Sequence, residues 1–221
     1  MNIKEKCARE AFKLIPNHSI IGLGGGSTIS YLIKFIKESG LNVSIVSPSM
    51  QTKFLCHEAK LDVLDPMFVH HIDLAFDGCD EVDASFNALK SGGGIHTLEK
   101  LIASMADDYI VLIDESKYST ALTFKHPVVL EVLAEAVEYV KHEVLKLGGI
   151  PNLRSSAAKD GFTMTENGHY LVDVTFDVVS DVNKLNEQLN SLCGVIGTSL
   201  FTKEVTKVLM VTENETILMT K

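Results

Sequence analysis

The sequence has 221 residues, 46% of them hydrophobic and 22% charged, and it is long enough to bury a full core. Its formal net charge is −9, whereas a surface that binds nucleic acid carries clustered lysines and arginines, so we expect no nucleic-acid partner. An anionic ligand would then be bound locally, by a few lysines and backbone amides.

The cysteines and the N-terminal residues bear on the cellular compartment. The four cysteines are far apart and form no C-x-x-C pair, so we expect reduced thiols rather than a disulfide framework or a thiolate metal site. The segment MNIKEKCAREAFKLI is too charged for a signal peptide, and no run of about 18 apolar residues predicts a membrane span. We therefore expect a cytoplasmic protein with no membrane partner.

The chain begins with an amphipathic pattern that predicts a helix, ended by Pro16 and Asn17. The next segment, SIIGLGGGSTISYLIKFI, predicts a strand, a glycine-rich turn over residues 22–26 and a second helix. This order places free backbone amides and a helix N-terminus where they can bind a phosphate. A tight turn without any ligand is the alternative for this loop.

The glycine loop differs from two common nucleotide motifs. A P-loop would need a lysine directly before Ser27, and the sequence has Gly26 there. A dinucleotide fingerprint would need a third glycine at Ser27 and an acidic residue after the next strand, where VSIVSPS supplies only serines. The loop therefore favours a smaller phosphate ester over a nucleotide.

Strands continue to alternate with helices as far as a predicted strand over residues 109–113. This alternation predicts an α/β fold with a doubly wound, mostly parallel, Rossmann-like sheet covered on both faces. After residue 125 the order changes to β-α-β-β-α-β, which is typical of a small ferredoxin-like α+β domain. We therefore predict an inserted domain over residues 126–200, with residues 1–125 and 201–221 forming the main α/β domain.

Chemistry-bearing residues are concentrated in loops that follow predicted strands. These loops are residues 24–28, an acidic turn over 77–83, residues 90–94 and residues 114–117. Ligands of such sheets bind outside the carboxyl ends of the strands, so we expect the four loops to meet there. Their carboxylates and lysines, with Glu99 at the start of the next helix, predict an active site.

These loops resemble those of the type A family of ribose-5-phosphate isomerases, and the resemblance covers nearly the whole chain. The matching segments are GGGST at residues 24–28, DGCDEVD at 77–83, LKSGGG at 89–94, EK at 99–100, DESK at 114–117 and KLGG at 146–149. The resemblance implies interconversion of ribose 5-phosphate and ribulose 5-phosphate through an enediolate, in the non-oxidative pentose phosphate pathway. It also implies no cofactor and no metal, and a homodimer or homotetramer.

The resemblance further implies roles for individual residues. Glu99 would be the general base, Lys90 would stabilise the oxyanion, and Asp77 would assist ring opening. Asp80 would exchange protons with the sugar hydroxyls. The candidates for substrate binding are Gly25, Gly26, Ser27, Thr28, Gly78, Cys79, Ser91, Gly92, Gly93, Lys117 and Lys4.

The sequence departs from the family pattern near these residues. Gly25 replaces the usual threonine, Cys79 the usual alanine and Ser91 the usual glycine, while His96 and Leu98 replace leucine and arginine. None of these changes removes a charged catalytic group. The loss of the threonine at position 25 removes one side-chain hydrogen bond to the ligand but leaves the backbone amide.

Each of these acidic and basic residues also has a structural interpretation, as a surface charge or a helix-terminus acid. Two other functions are compatible with such a fold. A sugar-phosphate-sensing module would carry a helix-turn-helix, for which the roughly twenty residues before the first strand leave no room. A coenzyme A transferase-like enzyme would use Glu99 as its nucleophile, but nothing in the sequence suggests an adenine site.

Overall fold

The computed structural model describes residues 2–221, except for the side chain of Lys159. Its strands, in chain order, are β1 (Ser19–Leu23), β2 (Val43–Val46), β3 (Asp62–Val63), β4 (Ile72–Asp77), β5 (Glu81–Asp83), β6 (Ala88–Leu89), β7 (Ala106–Asp114), β8 (Tyr118–Ser119), β9 (Val128–Val132), β10 (Ile150–Leu153), β11 (Ser155–Ser156), β12 (Lys159–Phe162), β13 (Tyr170–Thr175), β14 (Val195–Thr198), β15 (Leu200–Phe201), β16 (Lys207–Val211) and β17 (Thr216–Thr220).

The helices lie between these strands. They are α1 (Ile3–Phe12), α2 (Ser27–Ser39), α3 (Met50–Glu58), α4 (His96–Met105), α5 (Val137–Lys146) and α6 (Val182–Asn190), with single turns of 3-10 helix at Pro66–Phe68, Glu115–Lys117 and Ala134–Ala136. None of the helices that the structure describes is long and apolar enough to cross a membrane.

The central sheet has the strand order β17-β16-β7-β4-β1-β2-β3. Its pairings are parallel except for the β16–β17 hairpin, which returns from the end of the chain to extend the sheet. Alternate residues of β7 enter two different cores: Ile110 and Leu112 pack with α1 and α2, whereas Tyr109 and Val111 pack with α4. The sheet is therefore covered on both faces, which confirms the doubly wound fold.

The chain changes direction across the sheet between β1 and β4. From β1 it proceeds outward through β2 and β3, and it then returns to place β4 on the other side of β1. In open α/β sheets, ligands bind at the carboxyl edge beside such a switch point. The loop after Leu23 and the side chain of Asp77 lie at this edge.

The second sheet has the strand order β10-β13-β9-β14 and is antiparallel. Helices α5 and α6 supply Val140, Val144, Leu185 and Leu189 to its core. The predicted β-α-β-β-α-β order is therefore present, and all these strands lie between residues 128 and 198. The exact division into domains at residues 126 and 200 stays a prediction.

One local prediction was wrong: the acidic segment after β4 is not a single turn. Glu81–Asp83 forms β5, in a small sheet of order β15-β6-β5-β8. The Asp83 carboxylate accepts hydrogen bonds from Asn87, and the Glu81 carboxylate accepts two from Thr123 at 2.7 Å. These acids are buried and hydrogen-bonded because β5 lies between the neighbouring β6 and the more distant β8.

Candidate active site

A cavity of about 510 Å³ lies at the carboxyl edge of the central sheet, beside the switch point. Its walls come from the loops after β1, β4 and β6, from the start of α4 and from the segment after β7. Most of the residues predicted for the site line it: Gly25, Gly26, Asp77, Gly78, Cys79, Asp80, Lys90, Gly92, Gly93, Glu99 and Lys117.

Asp77 is the last residue of β4, and its carboxylate is held by three donors. Oδ2 lies 3.1 Å from Lys90 Nζ and accepts a 3.0 Å hydrogen bond from the Tyr109 hydroxyl, while Oδ1 accepts one from the Gly78 amide at 2.7 Å. A Cβ at position 24 would lie 2.0 Å from the Asp77 carboxyl carbon. Glycine is therefore required at Gly24 for the strand ends to approach this closely.

Lys90 stands at the centre of the charged cluster. Its backbone amide donates to Ser199 O, which fixes the chain directly after β6, and its ammonium donates to the carbonyl of Gly78. The ammonium also lies 3.5 Å from Glu99 Oε1. Burial alone would lower the pKa of Lys90, but the carboxylates of Asp77 and Glu99 outweigh burial and raise it above its ordinary value. Lys90 is therefore a cation at neutral pH.

Glu99 lies in the first turn of α4, where its amide donates to Ile95 O. Only 8% of the residue is exposed. Burial, followed by repulsion from Asp77, raises the pKa of Glu99 to about 8, although Lys90 acts in the opposite direction. A carboxylate with this pKa is a much stronger base than an ordinary surface glutamate and can still ionise near neutral pH.

The loop after β4 and the glycine loop after β6 are tied to each other. Asp80 Oδ2 accepts a 2.6 Å hydrogen bond from the amide of Ser91, and Lys117 Nζ donates to Cys79 O at 2.7 Å. Burial raises the pKa of Cys79 to about 12, so this side chain is a neutral thiol. The loop therefore presents one carboxylate to the cavity, that of Asp80, and no thiolate.

The start of α2 presents backbone donors that the helix itself does not use, whereas the Gly24 amide before it donates to Phe76 O at 2.9 Å. Gly26 is the N-cap of α2 with φ of 98°, and no side chain caps the helix. The first-turn amides of a helix have no partner within it, so those of α2 are available to an anion. Gly25 has room for a side chain, because an added Cβ would make only ordinary contacts, the nearest at 3.7 Å from Ser49 Oγ.

Four of the predicted binding residues do not line the large cavity. Lys4 and Thr28 instead line a much smaller one of about 20 Å³, and Lys117 lines both. Ser27 is exposed at the start of α2, while the Ser91 hydroxyl is buried and donates to Pro127 O at 2.5 Å. The structure thus brings Lys4 and Thr28 together with Lys117 at the small cavity, and of these three only Lys117 also lines the main cavity.

The sequence interpretation missed several cavity residues: Ser49, Met50, Gln51, Ile95 and Glu166. Ser49 and the start of α3 follow β2 at the same sheet edge, so the strand-end rule could have found them. Glu166 belongs to the connection between β12 and β13, and no local pattern places it here. Tyr109 was also missed, because a tyrosine inside an apolar strand resembles an ordinary core residue.

Comparison with known proteins relates this site to one family. Residues 44–215 match the family model of ribose 5-phosphate isomerase A (phosphoriboisomerase A). The ribose-5-phosphate isomerase A of Methanothermobacter thermautotrophicus is 38% identical over 205 residues, which cover 91% of this chain and 90% of that protein. The Prochlorococcus marinus subsp. pastoris protein of the same name is 36% identical, covering 94% of this chain and 93% of its own.

Solved structures agree with these sequence matches. Ribose 5-phosphate isomerase A of Methanocaldococcus jannaschii superposes with a TM-score of 0.93 and 33% identity, over 99% of this chain and 98% of its own. A D-ribose-5-phosphate isomerase in complex with phospho-erythronic acid gives a TM-score of 0.94 and 33% identity over the full length of both chains.

Proposed function

The chain belongs to the ribose 5-phosphate isomerase A family, and from this premise we propose how its cavity interconverts ribose 5-phosphate and ribulose 5-phosphate. The reaction moves one carbon-bound proton between neighbouring carbons of the open-chain sugar. It requires a base for that proton and a cation beside the oxygen that becomes negative. The observation that carries the proposal is the buried pair of Glu99 and Lys90 at the cavity wall.

Glu99 is the base of the proposed mechanism. Its carboxylate removes the proton from C2 of the aldose, and the electrons of that bond form an enediolate. The same carboxyl then returns the proton to C1, and the hydroxyl proton passes from O2 to O1, so that the carbonyl forms at C2 and the ketose results. The ammonium of Lys90 stabilises the negative oxygen of the enediolate, an electrostatic contribution of about 10² to 10³ in rate for comparable donors.

In this mechanism, Asp77 and Asp80 bind the hydroxyl groups of the sugar and exchange protons with them. Asp77 takes part in opening the sugar ring, and its own orientation is maintained by Tyr109 and by the Gly78 amide. Asp80 binds the sugar hydroxyls and exchanges protons with them, while its Oδ2 remains hydrogen-bonded to the Ser91 amide. Both roles require a carboxylate at the cavity wall, where the two residues lie.

The phosphate of the substrate binds near the start of α2, where Gly25 and Gly26 line the cavity. Its charge is complemented by the free amides over Gly26–Thr28 and by the side chains of Lys117, Thr28 and Lys4. Lys117 borders both cavities and therefore connects the sugar and phosphate regions.

Assembly and location are further parts of the proposal. We propose a cytoplasmic homodimer or homotetramer in which residues 126–200 form a second domain. Exposed apolar side chains support self-association: Phe54, Met67 and Phe68 are 64%, 81% and 82% exposed. Light scattering on the purified protein distinguishes a monomer from either oligomer.

Conversion of ribose 5-phosphate to ribulose 5-phosphate by the purified protein in excess EDTA tests the proposed mechanism. We expect turnover by the wild type and a loss of about 10² to 10⁴ in kcat for Glu99→Gln, because this change removes the base but little volume. Binding of the unreactive phospho-erythronate should survive in the variant. Near-normal kcat for Glu99→Gln would contradict the assignment of the base, whereas an inert wild type that binds the sugar phosphate would favour a sensing module.

A further inference from the structure

Arg154 joins the second sheet to the glycine loop of the cavity. It directly follows β10, and its side chain is 17% exposed. One side of its guanidinium binds the Asp173 carboxylate, with Nε at 2.9 Å and Nη2 at 2.6 Å from Oδ1. The other side donates to two consecutive carbonyls of the loop, from Nη2 to Ser91 O at 2.7 Å and from Nη1 to Gly92 O at 2.9 Å.

These two hydrogen bonds determine the direction of the loop amides. In a planar trans peptide the N–H group points opposite to the C=O group. Because the carbonyls of Ser91 and Gly92 point toward Arg154, the amides of Gly92 and Gly93 point away from it. Both glycines line the cavity, and within residues 2–221 neither amide has a hydrogen-bond acceptor. The guanidinium thus leaves two free donors on the other side of the loop.

The loop needs such external support because of its composition. Residues 92–94 are three consecutive glycines, which lose more conformational entropy on ordering than any other residue type. Gly94 has φ of 70°, and an added Cβ would lie 2.4 Å from Leu171 Cδ1 of β13. The second sheet therefore contacts the loop through both Leu171 and Arg154.

We propose that Arg154 is a positioning residue for the isomerase reaction, which holds the amides of Gly92 and Gly93 toward the substrate oxygens. This inference rests on the proposed function of the cavity. The two contacts are charge-assisted hydrogen bonds from one planar group, and a lysine has no equivalent fork. Asp173 fixes the guanidinium, so the second sheet takes part in the reaction without touching the substrate.

Kinetics of Arg154→Ala test this inference, with Arg154→Lys as the conservative variant. Donors that act on a developing oxyanion contribute mainly to kcat, so we expect kcat to fall about 10- to 100-fold while KM changes less. Arg154→Lys should retain only a minor part of the kcat that Arg154→Ala loses. The matched control is Arg9→Ala, since Arg9 is the other arginine of the sequence, lies over Phe35 of α2 and does not line the cavity.

Chemical rescue separates positioning from a merely structural role. Added methylguanidinium should restore part of the kcat of Arg154→Ala and should leave Arg9→Ala unchanged. Phospho-erythronate carries a carboxylate where the enediolate has its oxygens, so its affinity should fall about 10-fold or more in Arg154→Ala. If Arg154→Ala does not fold, Asp173→Asn replaces it, because this change leaves the guanidinium but weakens its anchor; a smaller kcat loss is then expected.

The outcomes distinguish this inference from the proposed function. A folded Arg154→Ala with wild-type kcat and wild-type affinity for phospho-erythronate would overturn the role of Arg154 while leaving the isomerase function intact. A kcat loss that methylguanidinium does not restore, accompanied by unchanged phospho-erythronate affinity, would also overturn it. If the wild type does not isomerise ribose 5-phosphate, the proposed function fails, and the phospho-erythronate affinities alone decide whether Arg154 positions the loop.

Discussion

Glu99 and Glu131 are two buried glutamates with opposite electrostatic surroundings. Glu131 lies on β9 in the second sheet and is 2% exposed, and its Oε1 accepts hydrogen bonds from Thr165 Oγ1 at 2.9 Å and His169 Nδ1 at 2.8 Å. Burial alone would raise the pKa of Glu131, but the hydroxyl of Thr97, followed by His169 and Thr165, outweighs burial and keeps the pKa below its ordinary value. Glu99 is 8% exposed, and its pKa is raised to about 8.

The difference lies in what surrounds each carboxylate. Glu131 accepts hydrogen bonds from Thr165 and His169, and such donors favour its ionised form. Glu99 shares a single ammonium with Asp77, which lies closer to that ammonium than Glu99 does, at 3.1 Å against 3.5 Å. Burial raises the pKa of a carboxylate only where hydrogen bonds and cations do not outweigh it. Glu99, whose pKa is raised, lines the cavity of about 510 Å³, and Glu131 is not among the residues that line it.

Among the variants that test this difference between Glu99 and Glu131, replacement of Lys90 is expected to change kcat most. Lys90→Gln should lower kcat by about 10² to 10³, because the enediolate oxygen loses its cation. The matched control is Lys100→Gln on α4, whose ammonium donates to Thr198 O and Leu200 O and does not line the cavity. Steady-state kinetics should show that control within about threefold of wild type. A similar loss in both variants would mean that Lys90 acts through folding rather than through the oxyanion.

The pH dependence of kcat/KM tests whether the pKa of Glu99 is raised. Glu99 must be ionised to accept a proton, and the pKa of its carboxyl in the folded protein is about 8. Activity should therefore fall about tenfold for each pH unit below 8 and level off above it. Lys90→Gln should move this limb to higher pH, since Lys90 lowers the pKa of Glu99. A profile that is flat from pH 6 to 9, corrected for ionisation of the substrate phosphate near pH 6, would exclude Glu99 as the titrating base.

Glu131→Gln should affect stability rather than catalysis. The amide has one acceptor oxygen in place of two and no charge, so the hydrogen bonds from Thr165 and His169 are weakened. We expect a loss of about 1.5 to 3 kcal/mol in the free energy of unfolding, measured by denaturant titration at neutral pH, with kcat within about threefold of wild type. The exposed Glu135→Gln is the control and should change the free energy by less than about 0.5 kcal/mol. A large kcat loss in Glu131→Gln without a change in stability would remove the distinction between the two glutamates.

Much of the fold was predictable because its signals are local. The alternation of strands and helices indicated the central sheet, and the changed order after residue 125 indicated the second sheet. The loops after Leu23 and Asp77 were predicted to meet because parallel strands end at a common edge. The prediction of a single acidic turn was wrong because β5 pairs with residues near 88 and 118, and residues near 88 pair in turn with residues near 201. Such two- and three-residue strands form only when distant segments come together.

The remaining site residues depend on packing between elements far apart in sequence. Tyr109 donates to Asp77 only because β7 lies beside β4. Glu166 lies in the connection between β12 and β13, and it lines the cavity although the other lining residues all lie between 25 and 117. Arg154 contacts residues about 60 positions earlier in the chain, at Ser91 and Gly92. No spacing rule connects such pairs, so local patterns predicted most of the charged residues that line the cavity, but not Glu166 or the residues that orient the charged side chains.

Titration of the two glutamates in one sample tests the central contrast most directly. The side-chain carboxyl ¹³C shifts of the labelled protein, assigned with Glu99→Gln and Glu131→Gln, report the ionisation of each residue between pH 3 and 10. We predict a Glu99 midpoint near 8 and a Glu131 midpoint below the ordinary value of 4.5. A Glu99 midpoint near 4.5, or a Glu131 midpoint above it, would contradict the view that hydrogen-bond partners decide which buried carboxylate is the base.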